Sequence, residues 1–239
     1  MNYYISTDES GKWSEKEGWY IRGWIKIPVE MESDLKNLFE RDDYNKDIFC
    51  HFTITKLSEF YSRKIIVREE IEKSIGIIFD NLKSILKRYM TKIPKEVSDA
   101  VNRVLFLFIY EKWMWEDAKE KLNFDNVLTF YINNPQFTKK EYREMLDIVG
   151  INAEQIKFEK GNHPGIKIVD KYVSLLGKIL SSNFKDNHAY NNFISFIEKI
   201  SLVGGNLVPG IDKVFYKSDK DRQIKELFQD YLGAENEKD

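Results

Sequence analysis

YYISTDESGKW, residues Tyr3–Trp13, joins a short β-prone run to an abrupt polar turn. Tyr, Ile and Thr suit a pleated, half-buried strand, and Gly11 suits the turn that follows. The strand is expected over Tyr3–Thr7, with Asp8-Glu9-Ser10-Gly11 at its end. Two adjacent carboxylates in that place have two readings. Either they are ordinary turn residues, or Asp8 is delivered to the end of a sheet to hold a metal ion.

Working outward, Gly11–Gly18 is a polar turn and WYIRGWIKI (Trp19–Ile27) is a second strand, so the first two strands form a hairpin. Pro28 ends it. A charged stretch from Glu30 to Asp47 follows, with a short helix at its start. DIFCHFTIT (Asp47–Thr55) alternates and is rich in Phe, Ile and Thr, which predicts a third strand. Ile71–Tyr89 carries apolar residues at helical spacing, and Pro94 punctuates. Glu96–Leu122 is a longer helix, apolar nearly all round and therefore expected to be buried.

The pattern then changes. VLTFYI (Val127–Ile132) is a compact apolar run, as expected of a strand buried on both faces. Thr138–Val149 is a helix with Thr138 and Glu141 at capping-box spacing. QIKFEK (Gln155–Lys160) is a fifth strand, and GIKIVDKYVSLLGKIL (Gly165–Leu180) is a helix behind Pro164. The remainder reads as helical, with a loop at Gly204–Gly210 and a last helix from Asp219 to Leu232. The expected fold is α/β: a mixed five-stranded sheet, three strands antiparallel and two parallel, flanked by helices. A single domain over 1–239 is expected, with a helical insertion at about 71–122 and a helical C-terminal extension at about 183–239.

Composition excludes several classes. The chain has 239 residues, 42% hydrophobic and 14% aromatic, enough for a sizeable core and too apolar for disorder. Its net charge of -2 gives no global basic field, so a nucleic-acid ligand would need a local patch. VLFLFIY (Val104–Tyr110) is far short of the ~20 apolar residues that a membrane span needs. The start of the chain lacks the apolar core of a signal peptide. Cys50 is the one cysteine, so internal disulfides and four-cysteine zinc sites are out. A cytoplasmic protein is the expectation.

The Gly165–Leu180 helix has two stripes. Ile166, Val169, Val173, Leu176 and Leu180 face a core, and Lys167, Lys171 and Lys178 face solvent. Asp170 lies beside the apolar stripe, in a column with Ser174, Gly177 and Ser181. Small residues there let the helix approach a sheet closely. A partly buried Asp170 would need a partner, either a lysine or a cation shared with Asp8.

YISTDESGKW, with its hairpin partner, and GNHPGIKIVDKYVSLLGKIL together resemble a family of microbial and viral proteins of unknown function. Its members open on a strand ending in Asp-Glu-Ser-Gly and close their core on a Gly-Leu-Gln-Leu-Ala-Asp-Leu-Val helix, here Gly165–Tyr172. The resemblance covers the core from Tyr3 to Leu180. It implies an RNase H-like fold, with Asp8 on the central strand and Asp170 on the last core helix. It implies that such carboxylates hold two divalent cations, Mg2+ or Mn2+, about 4 Å apart, which activate water and stabilise the leaving oxygen of a phosphodiester. The family's further carboxylate near the third strand has no match in FTITKLS (Phe52–Ser58), where Glu59 is displaced. At the end of the fourth strand, where such nucleases carry an Asp, this chain has Asn133 and Asn134. Glu9 and Glu159 are the candidates to compensate.

Other residues divide between chemistry and structure. Cys50 and His51 are adjacent on a strand and point to opposite faces, which argues against a dyad. His163 either stiffens the loop before the helix or orients water as a catalytic residue, and His188 reads as an ordinary loop residue. Lys83, Lys87, Arg88 and Lys92 form either a solvated helix face or a phosphate-contacting one. Trp13, Trp19 and Trp24 cluster at the hairpin and suit core or partner packing.

The candidate catalytic set is therefore Asp8, Asp170 and His163, and the candidate metal ligands are Asp8, Asp170, Glu9 and Asn133. The expected function is divalent-metal-dependent phosphodiester hydrolysis on nucleic acid. The alternative is a catalytically inactive RNase H-like scaffold that binds a protein partner.

Overall fold

The computed structural model describes residues 1–15, 17–35, 45–58, 60, 103, 106–182, 185–208 and 211–214. Strand β1 (Tyr3–Ser10) pairs antiparallel with β2 (Trp19–Pro28), and β2 pairs antiparallel with β3 (Asn45–Lys56). A 3-10 turn, Val29–Asp34, follows β2. Helical structure resumes with a π-helical turn, Phe106–Glu111, that runs into α1 (Lys112–Leu122). Next come β4 (Val127–Asn133), α2 (Lys139–Val149), β5 (Ile156–Glu159) and α3 (Pro164–Ser181). The described chain closes with α4 (Asn187–Glu198), β6 (Ile200–Val208) and β7 (Ile211–Val214).

The seven strands form one sheet in the order β5-β4-β1-β2-β3-β6-β7. β4 runs parallel to β1, and β5 parallel to β4. Three antiparallel strands continued on one side by two parallel ones make the RNase H-like arrangement that the sequence leads one to expect.

Alternation along the strands divides two cores. Tyr4, Ile21, Ile25, Cys50 and Phe52 pack under α3 and α4 against Val169, Leu176 and Phe193. Ile5, Tyr20, Trp24 and Phe130 pack on the opposite side against Phe106, Trp115 and Leu146. Cys50 thus lies in one core. His51 faces the other, where its Nε2 lies 2.6 Å from Asp117 Oδ2.

Helix α3 sits close to the sheet because both sides of the contact are small. A Cβ on Gly165 would collide with Ser6 Oγ, and one on Gly23 would collide with the Tyr172 hydroxyl. That hydroxyl lies 3.0 Å from Trp24 O and 2.8 Å from His51 O, so its proton is shared between paired carbonyls of β2 and β3. The capping box on α2 forms as the spacing predicts, with Thr138 Oγ1 accepting from Glu141 N.

Several expectations need correction. Among the described residues the sheet has seven strands, not five. The stretch read as helix and then a Gly204–Gly210 loop is instead β6 up to Val208, parallel to β3. Without β6 the outer edge of the apolar strand β3 would be unpaired. The glycines that read as a loop follow a register shift at Leu202/Gly204, where a strand tolerates them. The C-terminal extension is therefore not wholly helical.

β1 extends to Ser10, so Asp8 and Glu9 belong to the strand rather than to the turn. β4 is not buried on both faces: Leu128 is 51% exposed, and Thr129 and Tyr131 are half-buried. The helix expected over Ile71–Tyr89, the basic residues Lys83 to Lys92, Glu59 and the helix expected after Asp219 lie outside the described residues. Among the described residues, no helix is long and apolar enough to cross a membrane.

Candidate functional site

β1 and β4 are parallel neighbours whose connections leave in opposite directions, β1 to β2 on one side and β4 through α2 to β5 on the other. In open α/β sheets such a divergence opens a crevice at the carboxyl ends of the strands, where ligands bind. Asp8 and Asn133 stand at that point. Thr7 pairs with Ile132, so Asp8 and Asn133 are the next neighbours across the two strands, and Asn133 in turn pairs with Glu159. Gly23, Asp8, Asn133 and Glu159 thus form a row on the sheet face that carries α3.

Asp8 is only 3% exposed. Its Oδ1 accepts from the Glu9 backbone N–H at 2.8 Å. Asn133 Nδ2 donates to both carboxylate oxygens at 2.9 Å. Burial raises the Asp8 carboxyl above its ordinary value. The Asn133 and Glu9 hydrogen bonds and the Arg22 charge pull it down, and the charge of Asp170 pushes it up again. Asp170 is thus close enough to be felt at Asp8. It is exposed, not partly buried as expected, because its position on α3 turns past the apolar stripe toward solvent. Its Oδ1 accepts a long hydrogen bond, 3.5 Å, from Ser174 Oγ.

Asn133 acts as a donor to Asp8. Its Oδ1 accepts from the Asn134 N–H at 2.9 Å, which fixes the amide with its NH2 toward Asp8. An amide NH2 supplies some of the positive potential that a cation would supply. Asn134 contributes only its backbone.

Glu9 is not brought to Asp8. Successive side chains on a strand point to opposite faces, and Glu9 reaches Arg22 Nη2 at 2.5 Å on the far side of the sheet. Arg22 is fully buried and also donates through Nε to Glu111, with 2.8 Å to Oε2. Its Nη1 donates to Thr7 Oγ1 at 3.2 Å. Tyr20 and Tyr142 both donate to Glu111, and Trp115 Nε1 donates to Tyr142 Oη at 2.8 Å. One guanidinium thus serves two carboxylates. Burial pushes Glu9 up to about 7, against the pull of Arg22 and with Glu111 and Asp8 adding to the rise.

Of the two roles open to it, His163 makes the contacts of the one that stiffens the loop before the helix. It is the N-cap of α3, and its Nδ1 accepts from the Gly165 N–H at 3.2 Å and meets Ser6 Oγ at 3.3 Å. Its Nε2 lies 3.1 Å from Glu32 Oε1, and its ring stacks on Tyr131 at 3.7 Å. Burial lowers its proton affinity, although Glu32 opposes this. The neutral Nε2–H tautomer satisfies all three bonds. Ser6–His163–Glu32 has the order of an acyl-transfer triad, but Ser6 is 0% exposed, so no substrate reaches it. The chain of bonds clasps β1, α3 and the 3-10 turn together. His188 lies on α4 beside Asn192.

Among the described residues, no three His, Cys, Asp or Glu side chains converge as a metal site. Asp8 and Asp170 are what the fold brings within electrostatic reach. Glu159 stands two strands from Asp8, with Asn133 between.

The sheet order and its flanking helices define an RNase H-like α/β fold. No family model matches the chain, and no curated protein does. Among solved structures it is similar to the PCNA:RNase HII complex from Archaeoglobus fulgidus, at 12% identity and a TM-score of 0.39, over 98% of this chain and 89% of that one.

Proposed function

We propose that the chain is a divalent-metal-dependent nuclease that works with one cation, Mg2+ or Mn2+, held by Asp8 and Asp170. The observation that carries this reading is the placement of Asp8, a nearly buried carboxylate at the carboxyl ends of β1 and β4, in the field of Asp170. The donor set fits a single hard cation, since Mg2+ is commonly bound by one or two carboxylates and retained waters. It does not fit two, because Asn133 is neutral and Glu9 is tied to Arg22 on the other face. When bound, the cation would activate water and polarise a phosphoryl oxygen. The chain's own groups do the rest. The Glu9 N–H and Asn133 NH2 hold the Asp8 carboxylate in one orientation, and Asp170 stands exposed on α3 within its electrostatic reach.

The test is cleavage of labelled single-stranded and duplex DNA, RNA and RNA–DNA hybrid in Mn2+. Cleavage by the wild type that falls to background in Asp8→Asn supports the proposal. Cleavage that persists in Asp8→Asn overturns it.

A second reading, a non-catalytic scaffold that binds a protein partner, is favoured by Asn133. An amide locked by the Asn134 N–H stands where a nuclease of this fold carries an acid. A wild type without cleavage on any substrate would favour that reading.

A further inference from the structure

A cavity of about 750 Å³ opens between α3 and α4. Its lining includes Lys167 and Lys171 on α3 and Lys199 at the end of α4, with Asn162, Asn192 and Ser195 among them. Among the described residues that line it, none is acidic, in a chain whose net charge is -2. Glu32, which lies near this end of α3, is directed to His163. Among these described lining residues the charge thus runs against the sign of the whole chain. A solvated lysine stripe on one helix would be unremarked, but here a second helix closes the stripe into a groove.

We infer that this groove binds the phosphodiester backbone of a single nucleic-acid strand. Three observations support that occupant over others. Lys167 and Lys171 are one turn apart, about 6 Å along the helix axis, a spacing that suits successive phosphates of an extended strand. The groove lies between two helices in contact, and its volume of about 750 Å³ suits a short length of one strand. Its polar lining consists of ammonium, amide and hydroxyl donors, the groups that contact phosphate and position a strand without reading its sequence. Phe196, in the floor, is buried and stacked on Tyr172 with centroids 5.1 Å apart, so it offers no open face for base stacking.

The position also gives the strand a direction. Lys167 is three residues before Asp170, and residues at that spacing are neighbours on a helix surface. A strand in the groove crosses the exposed side of α3 beside the carboxylate proposed to hold the cation. The inference rests on the nuclease reading for that destination only. The binding itself needs no metal.

The experiment is fluorescence anisotropy with labelled oligo-dT and oligo-U of about twelve nucleotides, in EDTA, over a salt series starting at about 50 mM. The full chain is compared with Lys167→Gln/Lys171→Gln/Lys199→Gln and with Lys140→Gln, an exposed lysine on α2 across the sheet. The triple variant is expected to bind at least about tenfold more weakly. Its slope of log affinity against log salt should fall by about 2, since each single-strand phosphate contact contributes about 0.7. Lys140→Gln should bind as the wild type does, and a preference for dT or U then says which strand, DNA or RNA, the groove takes. Three results would overturn the inference: no binding by the wild type, unchanged binding by the triple variant, or displacement of the oligonucleotide by equimolar inorganic pyrophosphate. Because EDTA removes the cation, loss of this inference leaves the nuclease reading standing, and Mn2+-dependent cleavage tests that separately.

Discussion

Asp8 and Glu9 are neighbours in sequence, yet they stand in opposite environments. Glu9 faces the helical layer of α1 and α2, where a fully buried guanidinium, two tyrosine hydroxyls and a second carboxylate close around one another. Asp8 faces α3, where its partners are an amide and a backbone N–H; it feels the charge of Arg22 from the other face and that of a second acid, Asp170. The Glu9 side is closed electrostatically, with each charge met by a partner. The Asp8 side is left short of positive charge at the end of two strands where the sheet opens. A single step along a strand thus separates a structural charge network from a candidate site. A buried group that is already paired is costly to disturb, and a carboxylate short of cations is a place for one to bind.

The largest effect expected is on the closed side. Arg22→Ala leaves Glu9 and Glu111 buried without their cation and should lower the unfolding free energy by about 3–5 kcal/mol, read from urea titrations. A loss below about 1 kcal/mol would mean that the two faces do not differ as described.

Asn133→Asp works on the open side. It replaces the NH2 group on Asp8 by a carboxylate between Asp8 and Glu159, so the metal-free protein should lose about 1–3 kcal/mol. Millimolar Mn2+ should restore that stability by binding the folded state alone. If Mn2+ does not raise the melting temperature of this variant, the row of side chains is not a cation site.

The pH dependence comes from Glu9. Its folded value, about 7, lies above the ordinary 4.5. Between those values the folded protein keeps a proton that the unfolded chain releases. Stability from this group is therefore present below about 4.5 and lost as pH rises toward about 7, at up to about 1.4 kcal/mol per pH unit. Glu9→Gln should flatten that slope in urea midpoints taken from pH 5 to pH 8. A wild type whose stability rises over the same window would contradict the account of the closed face.

Asp170→Asn should have the smallest effect on stability, within about 0.5 kcal/mol, because its side chain is exposed. It should nonetheless weaken Mn2+ binding. A large loss of stability with unchanged binding would exchange its role with that of Glu9.

Much of this frame was legible in the sequence. Period-two runs gave β1, β2 and β3, and Thr138, Glu141, Pro164 and the apolar stripe of α3 marked the helices that hold the sheet. Small residues in the column of Gly177 signalled close packing, and Gly177 does lie against Ser10. β6 was not legible, because paired glycines read as a loop unless the open edge of β3 is known to be waiting. Within the candidate site, residue type located Asp8 but not its surroundings. Arg22 showed only as a lone charge between Ile21 and Gly23, and its partner Glu111 lies 89 positions away in sequence. The direction of the Asn133 amide depends on one backbone N–H and has no sequence signature. The two roles of His163 stayed open in the sequence because its three partners, Ser6, Gly165 and Glu32, meet only when β1, α3 and the 3-10 turn pack.

Calorimetric titration of Mn2+ into the metal-free wild type and Asp8→Asn decides whether the open face holds a cation. The expected result is one ion per chain, bound at micromolar to low-millimolar levels by the wild type and lost in Asp8→Asn. No binding by the wild type, or equal binding by Asp8→Asn, would contradict it.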